Sequence, residues 1–152
     1  MKITKTSNRG KALIKKYEGF EPKPYLCPAK VPTIGYGATY YPDGRKVKLT
    51  DPPITEAYAT NLLEVMLIPY EKAVDSYCRD DINQNQFDAL VSFAYNLGTN
   101  ALKNSTLLKK VNKNPNDPFI AQEFAKWVNA AGKKLSGLIK RRSEEAQLYF
   151  TK

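Results

Sequence analysis

The chain contains no histidine, and that absence removes more chemistry than any other count in its 152 residues. Histidine-based catalytic triads and the common imidazole zinc sites are excluded outright. What is left is carboxylate, hydroxyl, thiol, lysine and tyrosine chemistry. Cysteine is scarce as well: Cys27 and Cys78 are the only two, too few for a disulfide framework and without metal-binding spacing. Long apolar runs are missing. The longest candidate, Leu62 to Pro69, is broken by Glu64 and falls well short of the roughly 18 apolar residues of a membrane span. The first residues, Met1 to Ser7, are basic but lead into Lys11, Lys15 and Lys16 instead of an apolar stretch. Neither a cleavable signal peptide nor an N-terminal anchor is therefore expected, and the chain is expected to accumulate in the cytoplasm of the cell that makes it.

What is there suits one soluble globular domain: 42% hydrophobic and 26% charged residues in a chain long enough to bury a continuous core. The net charge of +9 points to a polyanionic partner, with nucleic acid, an anionic membrane surface and the bacterial envelope all qualifying. The same charge also fits a solubility surplus spread over the surface.

Periodicity divides the chain into a helix, a small sheet and further helices. Leu13, Ile14, Tyr17 and Phe20 form an apolar stripe that predicts a helix over about 7–20, capped by Ser7 or Asn8. Glu18 near its end opposes the helix dipole and calls for another reason to be there. Prolines 22, 24, 28 and 32 exclude a helix and predict short extended pieces, with a Pro-Asp-Gly turn at 42–44 closing a hairpin. Helices are then expected from Thr55 to about Tyr77, kinked at Pro69, and from a capping box at Asn83–Gln86 to Gly98. A short helix capped by Ser105 or Asn104 follows. The next starts at Asp117-Pro118, with Phe119, Phe124 and Trp127 inward and Gly132 closing it. The last runs over about 136–149. This is an α+β chain with segregated parts.

Glu18, Cys27 and Thr33 stand between the first helix and the sheet, with eight residues separating the first pair and five the second. Around them lie Tyr17-Glu18-Gly19-Phe20, Tyr25-Leu26-Cys27-Pro28-Ala29 and Pro32-Thr33-Ile34-Gly35-Tyr36-Gly37. Downstream come Gln86-Phe87-Asp88-Ala89-Leu90, Asn104-Ser105-Thr106-Leu107-Leu108 and Leu138-Ile139-Lys140-Arg141-Arg142-Ser143-Glu144. In these motifs and their order the chain resembles glycoside hydrolase family 24, the phage-type lysozymes or endolysins, over about Ser7 to Tyr149.

That resemblance implies a mainly helical lysozyme-like fold: one domain over 1–152, with a sheet lobe at about 20–54 packed against a larger helical lobe at about 55–152. It implies an endo-acting muramidase that cuts the β-1,4 bond between N-acetylmuramic acid and N-acetylglucosamine in peptidoglycan, with glycan in a cleft between the lobes. It assigns catalysis to Glu18, Cys27 and Thr33 and substrate contact to Asn104 and Ser105. No cofactor or metal is implied. A monomer is expected, held in the host cytoplasm until lysis, needing a holin to reach the wall, without nucleic acid and without stable membrane insertion. Ala38 stands where many relatives carry histidine, which puts a local polar contact in doubt and, with it, stability more than activity.

The chemistry of these residues can be weighed on its own. Cleaving a glycosidic bond needs a proton at the leaving oxygen, and a carboxylic acid kept neutral by its surroundings supplies it. Tyr17 and Phe20 beside Glu18 would reduce its solvation in that sense. Cys27 departs from the paired-carboxylate template, since a thiol of pKa about 8.5 near a carboxylate is a poor general base. Cys27 and Thr33 are therefore expected to orient the attacking water, with the thiolate a minor contributor. Two rivals follow: a lysozyme-fold wall-binding protein impaired by Cys27, and a basic nucleic-acid-binding protein using Lys133, Lys134, Lys140, Arg141 and Arg142.

Overall fold

The structure, a computed structural model, describes residues 2–130 and 132–152. The elements run α1 (Asn8–Glu18), β1 (Glu21–Leu26), β2 (Pro32–Gly35), α2 (Glu56–Tyr77), α3 (Gln84–Leu97), α4 (Thr99–Lys103), α5 (Thr106–Lys113), α6 (Ile120–Ala125), β3 (Asn129–Ala130), β4 (Lys133–Lys134) and α7 (Ser136–Tyr149). The chain forms two compact units, Lys15–Ile68 and the remainder, and the division falls within α1 and α2.

In the unit 15–68, β1 and β2 pair antiparallel with Tyr25 opposite Thr33 and Leu26 opposite Pro32. The register is irregular between Glu21 and Tyr25, where Pro22 and Pro24 have no N–H to give a ladder. The Pro22 carbonyl instead accepts from the Ile54 amide at 2.9 Å. Gly35, at φ +68°, lies where an added Cβ would stand 3.2 Å from the Ala59 Cβ, so β2 approaches α2 closely only because that side chain is missing. Ile34, Ala59, Leu62, Leu63 and Leu67 are fully buried around it. The expected turn at 42–44 is present, closed by Tyr41 and Arg45 backbone atoms at 2.8 Å. It joins a single bridge, Tyr40 to Lys46, in place of a longer hairpin.

In the other unit, α3 is buried along Gln86–Ala94 on every face, as a helix surrounded by others must be. Its capping box is complete: the Gln86 amide donates to Asn83 Oδ1 at 2.8 Å, and the Asn83 amide donates to Gln86 Oε1 at 2.9 Å. Helix α7 packs on α3 and covers the residues expected. Pro69 does not end α2, which continues to Tyr77.

Four expectations are corrected. Gly98, at φ +99°, both ends α3 and opens α4, a short helix not foreseen. Helix α6 begins at Ile120 instead of Asp117-Pro118, because the Asp117 carboxylate caps the turn by accepting from the Phe119 amide at 2.9 Å. Phe119 therefore points outward, 56% exposed. Gly132 does not close α6, which stops at Ala125; the Trp127-Val128 pair suits extended structure, and β3 and β4 form a second small sheet just after it. Finally, Arg141 and Arg142 are withdrawn into the core at 3% and 1% exposure. Among the described residues no helix is long and apolar enough to cross a membrane.

Candidate active site

Glu18 is the last residue of α1 and is half-buried, as are Tyr17 and Phe20. The helix stops there because Gly19 adopts φ +74°, with its amide on the Lys15 carbonyl at 2.9 Å, the backbone setting only glycine takes without strain. The aromatic neighbours also serve other partners. The Phe20 ring packs on Tyr36 at 5.8 Å, and the Lys16 ammonium sits 5.5 Å over the Tyr17 ring. The Tyr36 hydroxyl donates to Glu56 Oε2 at 2.9 Å, and burial, then the Glu56 carboxylate, pushes that phenol up.

Cys27 follows β1 directly. Its amide donates to the Val31 carbonyl at 3.1 Å and its carbonyl accepts from the Lys30 amide at 2.8 Å. This four-residue turn holds Lys30 at φ +62°. The Val31 amide lowers the Cys27 pKa most; the Ala29 amide and the Thr33 hydroxyl add to it, against opposition from burial. This corrects the expectation of a thiol pushed upward by a neighbouring carboxylate: donors to the charged form dominate. Thr33 is 3% exposed on β2. Its hydroxyl donates to the Val31 carbonyl at 2.8 Å. Cys78 is buried and pushed up to about 12 by desolvation. Iodoacetamide at about pH 8 should therefore alkylate Cys27 and spare Cys78, of which only about one part in ten thousand is thiolate. Peptide mapping by mass checks this; equal labelling would contradict the two environments.

Glu18, Cys27 and Thr33 thus belong to one compact unit, and Asn104 and Ser105 belong to the other. Ser105, 2% exposed, caps α5: its hydroxyl accepts from the Leu108 amide at 3.0 Å and donates to the Leu102 carbonyl at 2.7 Å. Asn104 is exposed and ends α4. A cavity of about 620 Å³ lies among Ala125, Val128, Ile139, Ala146, Phe150 and neighbours, and none of the five expected site residues lines it. Sequence reasoning passed over Tyr25, although its place two residues before Cys27 on a strand is visible in the sequence.

The Phage lysozyme family model matches residues 15–145, which contain the whole Glu18–Thr33 segment. The chain belongs to the phage lysozyme family. It is 42% identical over 147 residues to the endolysin of Bacillus phage B103, covering 95% of this chain and 54% of that protein. It is 36% identical over 145 residues to the endolysin of Salmonella phage P22, covering 95% and 97%. The solved endolysin from Escherichia coli O157:H7 phage FAHEc1 superposes with a TM-score of 0.87 at 35% identity, covering 99% of this chain and 96% of that one. The chain thus spans about half the length of the B103 relative and nearly all of the P22 relative.

Membership makes the chain a lysozyme-type glycosidase with the α+β lysozyme fold. It also removes the support for a nucleic-acid-binding reading. Two of the five cations in that cluster, Arg141 and Arg142, are buried on Glu145.

Proposed function

We propose that the chain is an endolysin that hydrolyses the β-1,4 bonds between N-acetylmuramic acid and N-acetylglucosamine in bacterial peptidoglycan, lysing the host cell. The observation that supports it most is the family match over residues 15–145, which contains Glu18, Cys27 and Thr33 within one compact unit. Protonated Glu18 hands its proton to the leaving oxygen as the glycosidic C–O bond breaks. Thr33 and Cys27 hold the water whose oxygen bonds to the anomeric carbon, and the ionised share of Cys27 takes that water's proton. Asn104 and Ser105 contribute glycan contacts of their own unit. The enzyme acts as a monomer, waits in the host cytoplasm and reaches the wall with a holin's help. The surplus of positive charge concentrates it on an anionic wall, an effect that weakens with salt.

Digestion of purified sacculi tests this reading. The expected products are muropeptides with muramic acid at the reducing end. Glucosamine reducing ends, or no digestion, would contradict it. Cys27→Ala should slow release by about tenfold or more; an unchanged rate removes Cys27 from the mechanism.

A further inference from the structure

We infer that the Tyr25 hydroxyl is a substrate-binding group of this site, donating a hydrogen bond to an oxygen of the N-acetylated sugar bound beside Glu18. The inference rests on the reading of the site given above. It starts from strand geometry. Residues two apart on a strand face the same side, and so do residues directly opposite across an antiparallel pair. Tyr25 is two residues before Cys27 and directly opposite Thr33. The phenol and the threonine hydroxyl therefore share one face of the β1–β2 pair, and Cys27 follows Leu26, the last residue of β1.

The Tyr25 hydroxyl is also open. Buried tyrosines elsewhere in the chain use theirs: Tyr41 donates to Asp51 at 2.7 Å and Tyr149 to the Pro115 carbonyl at 2.7 Å. Tyr25 is half-buried, and among the described residues its hydroxyl has no hydrogen-bond partner. A phenol held by its ring with its polar end unused is arranged to meet a ligand.

The surrounding charge specifies which end of a hydrogen bond it offers. Burial raises the Tyr25 pKa most, and the negative charges of Glu18, Glu21 and Cys27 raise it further. The group stays protonated and is a donor wherever the enzyme works. Sugar hydroxyl and acetamide carbonyl oxygens are the matching acceptors.

Tyr25→Phe removes one oxygen and keeps the ring. Against sacculi, kcat/KM should fall about tenfold, mostly through KM, with an unchanged melting temperature. A kcat/KM within about twofold of the parent overturns the inference. Glu18→Gln, run alongside, separates the two readings: if it is inactive while Tyr25→Phe is normal, only the Tyr25 assignment fails. If Glu18→Gln is fully active, the site itself is wrongly read. A second readout does not depend on turnover. With tyrosine ring carbons labelled in the Glu18→Gln protein, titration with oligosaccharide should shift the Tyr25 resonance, and a resonance that stays put at saturation overturns the inference.

Discussion

Glutamine in place of Glu145 is expected to destabilise the fold by about 3–5 kcal/mol, a large share of the roughly 5–15 kcal/mol that holds a domain together. Glu145 has no solvent exposure and lies between two buried guanidiniums, with Arg141 Nε at 3.2 Å and Arg142 Nε at 2.9 Å. The Ser92 hydroxyl donates to the same carboxylate from α3, and Arg141 reaches the Ser92 carbonyl at 3.1 Å. Arg142 also donates to Asn96 Oδ1 at 2.7 Å and stacks its guanidinium 5.3 Å over the Phe93 ring. Removing the one anion leaves two cations out of water with an amide between them, and that unmatched charge is the source of the loss.

The cluster is not ideally bonded. Arg142 Nε and Glu145 Oε1 attract as ions, but their geometry is off the line of a hydrogen bond, and among the described residues Arg142 Nη1 has no hydrogen-bond partner. Burial pushes the Glu145 carboxyl up and the Arg142 guanidinium down, each opposed by the other's charge. Such a cluster holds α7 to α3 in one arrangement without contributing much net stability. Replacing all three charged residues by apolar ones of similar volume should therefore be near neutral, whereas the single change is severe. Urea unfolding of both variants distinguishes these outcomes, and a Glu145→Gln midpoint equal to the parent's would contradict the argument. As a comparison, Lys126→Ala removes a pair to Glu123 at 2.9 Å whose lysine is 64% exposed. Solvent screening keeps that loss below about 1 kcal/mol.

These buried arginines show where sequence reading stops. In the sequence, Arg141-Arg142 is a basic run indistinguishable from a solvated face. Its partners Ser92 and Asn96 are some fifty positions away, and only tertiary packing brings them in. Local features were legible because their causes are local. The Asn83–Gln86 capping box is closed by residues three apart, and α7 spans the predicted 136–149. The Glu18, Cys27 and Thr33 spacing was visible for the same reason. The lowered pKa of Cys27 was not, since its main cause is the Val31 amide, brought round by a turn with Lys30 at φ +62°, a conformation that lysine rarely takes. Phe119 misled because its apolar side chain fits a helix stripe, while the cap that turns it outward comes from Asp117.

The other large effect concerns Glu18. Its amide replacement differs by one atom, retains the shape and hydrogen-bonding capacity at the end of α1, and lacks a proton acidic enough to give to a departing sugar oxygen. Loss of a general acid from the position proposed for it lowers rates by about 10²–10⁴-fold, and the chain has no histidine to take over the role. Position 18 is half-buried at the end of α1 and glutamine keeps the size of the side chain there, so the variant should melt with the parent.

The most direct measurement is the rate at which soluble muropeptides leave purified sacculi under parent and Glu18→Gln enzyme at equal concentration, with circular dichroism confirming that both are folded. The account predicts release reduced by at least about a hundredfold for the variant. Release at the parental rate by the folded variant would contradict it.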